Sequence, residues 1–552
     1  MSRTLSVVLV LAVLDPANRL RQGYGGPPKL HAKAEAGLHV LQPRSSIADL
    51  KTTPEATDFK STSSYDDVVK FMKTVDEASP IVFFTTYGTT SEGRAMPLAV
   101  VGTGLKDASP ASVKGSGKLR VHIQGNIHAG EVEGKESAQM LLRDLAAGRH
   151  ADWLRSTVFL ITPIFNADGN EKMSLTNRGR QKGLNINRDF MKLDTPEGRA
   201  FVKLWVDYDP HVGVDLHTSD GSNHGYFLTY SPPLNPNTNG GIMRILKDEW
   251  FPFVTKNIKA THGWDTFYYG NASTPGGRGP STRSGQAARG ETPAQPAGPR
   301  AWATFEHVPR FHNNYVGMRN RFGLLSEAYS YATFEDRIKA TNYFLEAAMT
   351  FAHQNAPRLK KAIEEADKAS ITGTPLATRA QFHRGGMVDI LMGEVEDEKN
   401  PNNGAIMNRR KDVVRTEPMI DMMWFEPAAT EIAPVEYYVP ADATKALDLL
   451  SAHGVRMRQA QQPTGGVERF AIDSNTNYQS FEGHNMRRLE GKWYPSAEPV
   501  MPAAYWIVPM NQPLARLAFY LLEPASDDGL VNWNVLDEQL KEAKTYPILR
   551  RR

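Results

Sequence analysis

The stretch KLRVHIQGNIHAGEVEGKESAQMLLRDLAAG, Lys118 to Gly148, decides how this chain is read. It opens with alternating apolar residues, passes through a short turn holding His128 and Glu131, and continues with helical periodicity. A strand that feeds a turn and then a helix predicts one unit of an open α/β sheet, where chemistry collects at the carboxyl ends of strands. A histidine and a carboxylate three residues apart reach one ion only if the backbone bends between them, and Ala129 and Gly130 are small enough to permit the bend. Taken alone, the pair reads more simply as a surface salt bridge or a helix start. A third ligand elsewhere in the chain would change that reading.

Composition narrows the chemistry. With 552 residues, of which 40% are hydrophobic, the chain can bury a sizeable core and fill two or three domains. Its 64 basic and 61 acidic residues leave a net charge of +3 and form no blocks, which argues against a nucleic-acid partner. There is no cysteine, so disulfides, zinc fingers and thiol catalysis are excluded. A metal would have to be held by histidine and carboxylate, a choice that favours zinc in a catalytic setting. Near the N-terminus Arg3 precedes the apolar run Leu5 to Leu14, the length of a signal-peptide core, although no clean cleavage site follows. The run predicts a periplasmic or secreted protein. Nothing else in the chain approaches the length of apolar run that a membrane span requires.

Along the chain, residues 1–62 read as this signal-like segment and an extended lead-in. Ser64 starts a helix whose apolar positions are Val68, Phe71, Met72 and Val75, and IVFFTTYG and MPLAVVG follow as a hairpin. VFLITPIF (Val158 to Phe165) has the apolar run of a strand buried on both faces and stops at NADG. Thr195-Pro196-Glu197 is a helix start, and VGVDLHT is a further buried strand that ends at His217. FGLLSEAYSY is an apolar strand with Glu327 as its only charge. Helices are expected from Asp336 and from Pro357. Residues 271–300, rich in Gly, Pro, Ser and Arg, read as a flexible insertion, and short alternating runs from about Thr372 onward as a β-rich accessory domain.

His217 supplies the missing ligand: with His128 and Glu131 it completes two histidines and one carboxylate, the ligand count of a catalytic zinc site with a position left for water. Asp215, two residues earlier, either orients a ligand or caps the strand. A carboxylate inside an apolar strand costs several kcal/mol unless it is paired or functional. Glu327 therefore reads either as a general base beside a metal or as a buried partner of Arg319 or Arg321. Arg178, Arg180 and Arg188, with Asn185 and Asn187, lie in a loop between two of these strands and can receive a substrate carboxylate.

In order, HAGE (128–131), NADG (166–169), GLNINRDF (183–190), DLHTSDG (215–221) and LLSEAYSY (324–331) resemble the M14 family of zinc carboxypeptidases over about residues 60–350. The resemblance implies an α/β fold, an α/β/α sandwich with a central mixed β-sheet over 63–370, followed by a β-rich domain over 371–552. It implies one zinc ion per chain on His128, Glu131 and His217, and Glu327 as the general base that deprotonates a zinc-activated water. Asn187 and Arg188 would grip the terminal carboxylate of a peptide substrate, and Arg178, with Arg180 as its competitor, would polarise the scissile carbonyl. Tyr315 is the candidate for the family's mobile capping tyrosine, with packing as its competing role. His217 follows Glu131 sooner than in the pancreatic enzymes, and Asn185 stands where the family often has Asp. The implied activity is metallocarboxypeptidase; the alternatives are a zinc deacylase or amidase acting on N-acyl amino acids or peptidoglycan fragments, and a non-catalytic peptide-binding module.

Overall fold

Local signals place the first elements as expected. The Ser64 hydroxyl accepts from the Asp67 N–H while the Asp67 carboxylate accepts from the Ser64 N–H, and helix Tyr65–Ala78 begins there with Val68, Phe71, Met72 and Val75 buried. Thr195 caps helix Pro196–Tyr208, its hydroxyl accepting from the Gly198 N–H. The computed structural model describes residues 46–172, 183–219, 221–273, 299–400, 404–460, 466–497 and 504–552.

Among the described residues, ten strands precede residue 330: β1 (Val82–Thr89), β2 (Ala95–Val101), β3 (Leu119–Gly125), β4 (Thr157–Thr162), β5 (Val212–Ser219), β6 (Leu228–Ser231), β7 (Thr266–Tyr268), β8 (Asn271–Ser273), β9 (Ala301–Ala303) and β10 (Phe322–Tyr329). Eight form one mixed sheet in the order β1-β2-β4-β3-β5-β10-β6-β7. Its centre is parallel, β4 beside β3, β3 beside β5 and β5 beside β10. The β1–β2 hairpin and the β10–β6 pair are antiparallel. Every residue of β3 and β4 is buried, including Arg120, His122 and Gln124 of β3, so β3 alternates in sequence while β4 reads as an apolar run between two threonines.

Helices cover both faces. Ala99, Val121, Ile123 and Ile161 point toward helices Glu133–Ala146, Phe251–His262 and Phe334–Lys368. Leu98, Val100, Val158 and Leu160 point the other way, toward helix Pro196–Tyr208, and that core continues into Tyr437, Leu449, Phe519 and Trp533 of the C-terminal part. The C-terminal part is rich in long antiparallel strands, among them Val467–Phe481 and His484–Ser496, with a helix at Ala515–Leu522.

Two expectations need correcting or delimiting. A single helix, Phe334–Lys368, replaces the two helices expected, with Pro357 inside it. An interior proline costs about 3 kcal/mol, but Ala352, Ala356, Leu359 and Ile363 bury a continuous stripe across it, and that packing holds the helix together. Of the expected insertion, Asn271–Ser273 pairs with Ala301–Ala303 as β8 and β9, while residues 274–298 lie outside the described residues, as does the signal-like run. No helix among the described residues is long and apolar enough to cross a membrane.

Candidate metal centre

The turn that leaves β3 is built by asparagines. Asn126 takes the left-handed conformation (φ 60°), so the chain reverses there rather than at Gly130. Its amide nitrogen donates to the carbonyl oxygens of His128, Ala129 and Glu131 at 3.1–3.3 Å. Asn166, from the NADG motif, donates to the Ile127 carbonyl at 3.0 Å. Glu131 therefore sits in the turn itself; the helix begins two residues later, at Glu133, and not at the ligand.

Two glycines let that helix come close enough for the ligands to meet. A Cβ on Gly134 would lie 2.6 Å from the Leu216 Cβ and 2.9 Å from its carbonyl oxygen, and one on Gly125 would lie 2.8 Å from the Gly134 carbonyl carbon. Gly134→Ala is expected to cost about 1–3 kcal/mol through this overpacking, and to weaken metal retention by lifting Glu131 away from His217. Urea unfolding and metal analysis check it; unchanged stability would show that the close approach is not needed.

The three predicted ligands converge. The Glu131 carboxylate faces His128 Nδ1 through one oxygen and His217 Nδ1 through the other, both at 2.8 Å. All three side chains are buried, and one ligand atom of each lies within 4.8 Å of the others, so the group can hold a metal ion. Asp215 accepts from His217 Nε2–H at 2.7 Å and from the Gln124 amide at 3.1 Å. A proton held on Nε2 leaves the Nδ1 lone pair aimed at the Glu131 side, so the donor chemistry fits a divalent cation such as zinc.

Charge balance in the protein alone agrees with that fit. Burial would lower the His217 pKa, but Asp215 and Glu131 outweigh it and hold the ring well above its ordinary value. Burial would raise the Glu131 pKa, but His128 and His217 outweigh it and keep the carboxylate ionised. Asp215 is held at about 2, where His217, His312 and the Gln124 amide overcome burial. A cation in place of the imidazolium proton meets the same pair of carboxylates.

Glu327 lies beside His217 in register on neighbouring parallel strands, which turns both side chains to one face. The two arginines considered as its alternative partners are engaged elsewhere: Arg319 with Tyr315 and the His453 carbonyl, Arg321 with Asp209 and Asp367. His128, Glu131, His217, Glu327, Asn187 and Arg188 all line one cleft. Arg188 stacks on the Phe311 ring, 3.9 Å from its centre, and Asn187 Oδ1 is buried with no partner within the protein. Both residues ride on a single turn, Ile186–Arg188, whose cap Asn185 accepts from the Asn187 N–H at 3.0 Å.

Two predicted site residues remain to be accounted for. Arg178, like Arg180, lies outside the described residues. Tyr315 is fully buried, does not line the cleft, and joins its hydroxyl to His453 at 2.8 Å and Arg319 at 3.1 Å. The packing role considered for Tyr315 is the one seen here. Tyr269, Phe305, Phe311 and His312 line the cleft without having been anticipated. His312 is the most unusual of them, since neither ring nitrogen has a hydrogen-bond partner and burial pushes its pKa down to about 4. Its segment, RFHNNYVGM, carried the one visible signal, a histidine between aromatic and amide residues.

Residues 68–218 match the zinc carboxypeptidase family model (Peptidase_M14), a span that takes in His128, Glu131, Asn187, Arg188 and His217. Carboxypeptidase 2 of Trichophyton rubrum is 23% identical over 481 residues, 84% of this chain and 81% of the relative. Probable carboxypeptidase 2 of Trichophyton verrucosum is 28% identical over 192 residues, 32% of this chain and 36% of the relative. Among solved structures, a metallo-carboxypeptidase from Burkholderia cenocepacia aligns with a TM-score of 0.39 and 18% identity over 53% of this chain and 70% of its own. Residues 68–218 thus resemble zinc carboxypeptidases, and relatives that are themselves carboxypeptidases align along most of the chain.

Proposed function

We propose that the chain is a zinc-dependent exopeptidase that removes C-terminal residues from peptides with a free terminal carboxylate. The observation that supports it best is the lining of a single cleft by the His128, Glu131 and His217 cluster, by Glu327, and by Asn187 and Arg188. His128, Glu131 and His217 would hold one zinc ion per chain. Bound there, zinc supplies Lewis acidity, polarising a carbonyl and lowering the pKa of a water toward about 7.

The chain's own groups do the rest. Glu327 takes a proton from the attacking water and passes it to the leaving amine. Asp215 keeps His217 in the tautomer that ligates. Arg188 and Asn187 bind the terminal carboxylate and set the register of cleavage, and Arg178 steadies the developing oxyanion. Residues 63–370 carry this chemistry and 371–552 form a β-rich accessory region. The apolar run Leu5 to Leu14 supports export to the periplasm or the medium.

Arg188→Ala tests the carboxylate grip. Loss of a charge-assisted pair is expected to raise KM for peptides with a free C-terminus by about 10–100-fold, with a smaller change in kcat. Amidated peptides, already poor substrates, should lose little. If Arg188→Ala left the preference for free over amidated C-termini unchanged, the grip would lie elsewhere.

A further inference from the structure

We infer that the tip of the C-terminal hairpin, Glu482 above all, is a positioning element for the carboxylate-binding turn. The inference rests on the role proposed for Arg188. Strands Val467–Phe481 and His484–Ser496 are joined by two residues only, Glu482 and Gly483, with Phe481 paired to His484. Both turn residues have positive φ, 48° and 81°. This is the geometry that favours Asn-Gly or Asp-Gly, and a longer side chain such as glutamate at the first position carries backbone strain. A strained residue at a hairpin tip suggests that the side chain has a use there.

Its contact supplies one. A Glu482 carboxylate oxygen accepts from the backbone N–H of Asn185 at 2.6 Å, across 297 residues of sequence. Asn185 in turn accepts, through its side chain, from the Asn187 N–H and, through its carbonyl, from the Arg188 N–H at 2.9 Å. Glu482 thus fixes the first residue of the turn that presents both carboxylate-binding side chains to the cleft. The rest of the tip supports the same segment: His484 pairs with Asp194 at 2.7 Å, and a Cβ on Gly483 would rest 3.4 Å from Leu184. Phe481 underlies Arg310, which is bound to Asp528 and adjoins Phe311, the ring on which Arg188 stacks. The hairpin tip therefore braces the turn and, through Arg310, the segment that carries Phe311.

Glu482→Asn separates positioning from folding. Asparagine suits the turn better than glutamate but is too short to span to Asn185, so thermal stability should hold or rise. KM for a free C-terminal peptide should rise about tenfold through loss of a hydrogen bond to a charged acceptor, with kcat within about twofold. Glu482→Gln, which keeps reach and acceptor, should return KM to within about threefold of wild type. An unchanged KM in Glu482→Asn, or a fall in stability with an equal fall in kcat, would overturn the inference. Arg188→Ala measured alongside separates the two claims: if it raises KM and Glu482→Asn does not, only the hairpin's role fails, whereas if neither does, the carboxylate-binding assignment itself fails.

Discussion

Glu327→Gln is expected to lower kcat by about 10²–10⁴-fold while the protein keeps its metal and its fold. The reason is geometric. Glu327 neighbours His217 across a parallel pair, lines the same cleft, and is not among the three ligand side chains. Glutamine preserves the shape and can still accept a hydrogen bond, but it cannot take a proton from water or carry one to a leaving amine. KM should change little, because the carboxylate-binding turn lies on a different element. Steady-state kinetics together with metal analysis make the comparison, and a glutamine variant that turns over normally with metal bound would remove Glu327 from the chemistry.

The second large effect concerns the ligands. His217→Ala should abolish metal retention and turnover together, since it removes one of three ligands and leaves Asp215 and Glu131 facing each other without the ring between them. Asp215→Asn should be graded: a lost partner of a ligating histidine typically weakens metal binding by about 10–100-fold, so activity should return as zinc is added. Chelation of the wild type should lower the melting temperature as well, because an ion that binds only the folded state stabilises it by mass action. Added zinc should restore both. A chelated protein that kept its activity and melting temperature would exclude a resident metal at this cluster.

What could be read from the sequence was local. The Ser64 and Thr195 caps, the alternating run of β3, the apolar run of β4, and the strand–turn–helix around His128 all follow from side chains acting on their own backbone. The convergence of His128, Glu131 and His217 was legible because each stands at or beside a strand end, where an open parallel sheet gathers its chemistry. Other features depended on partners far away in sequence. Helix Phe334–Lys368 runs through Pro357 because of the stripe it buries, which outweighs the local signal of the proline. Tyr315 stood between a capping and a packing role, and its burial depends on His453, which is remote in sequence. Likewise, nothing near Asn185 announces Glu482, and nothing near Phe311 announces Arg188.

The central claim is exopeptidase cleavage that depends on zinc at this site. Mass spectrometry of one peptide, with its C-terminus free or amidated, incubated with zinc-loaded and with chelated protein, tests it most directly. The prediction is stepwise loss of single residues from the free C-terminus, by the zinc-loaded protein only. Internal cuts, equal cleavage of the amidated peptide, or cleavage that survives chelation would contradict it.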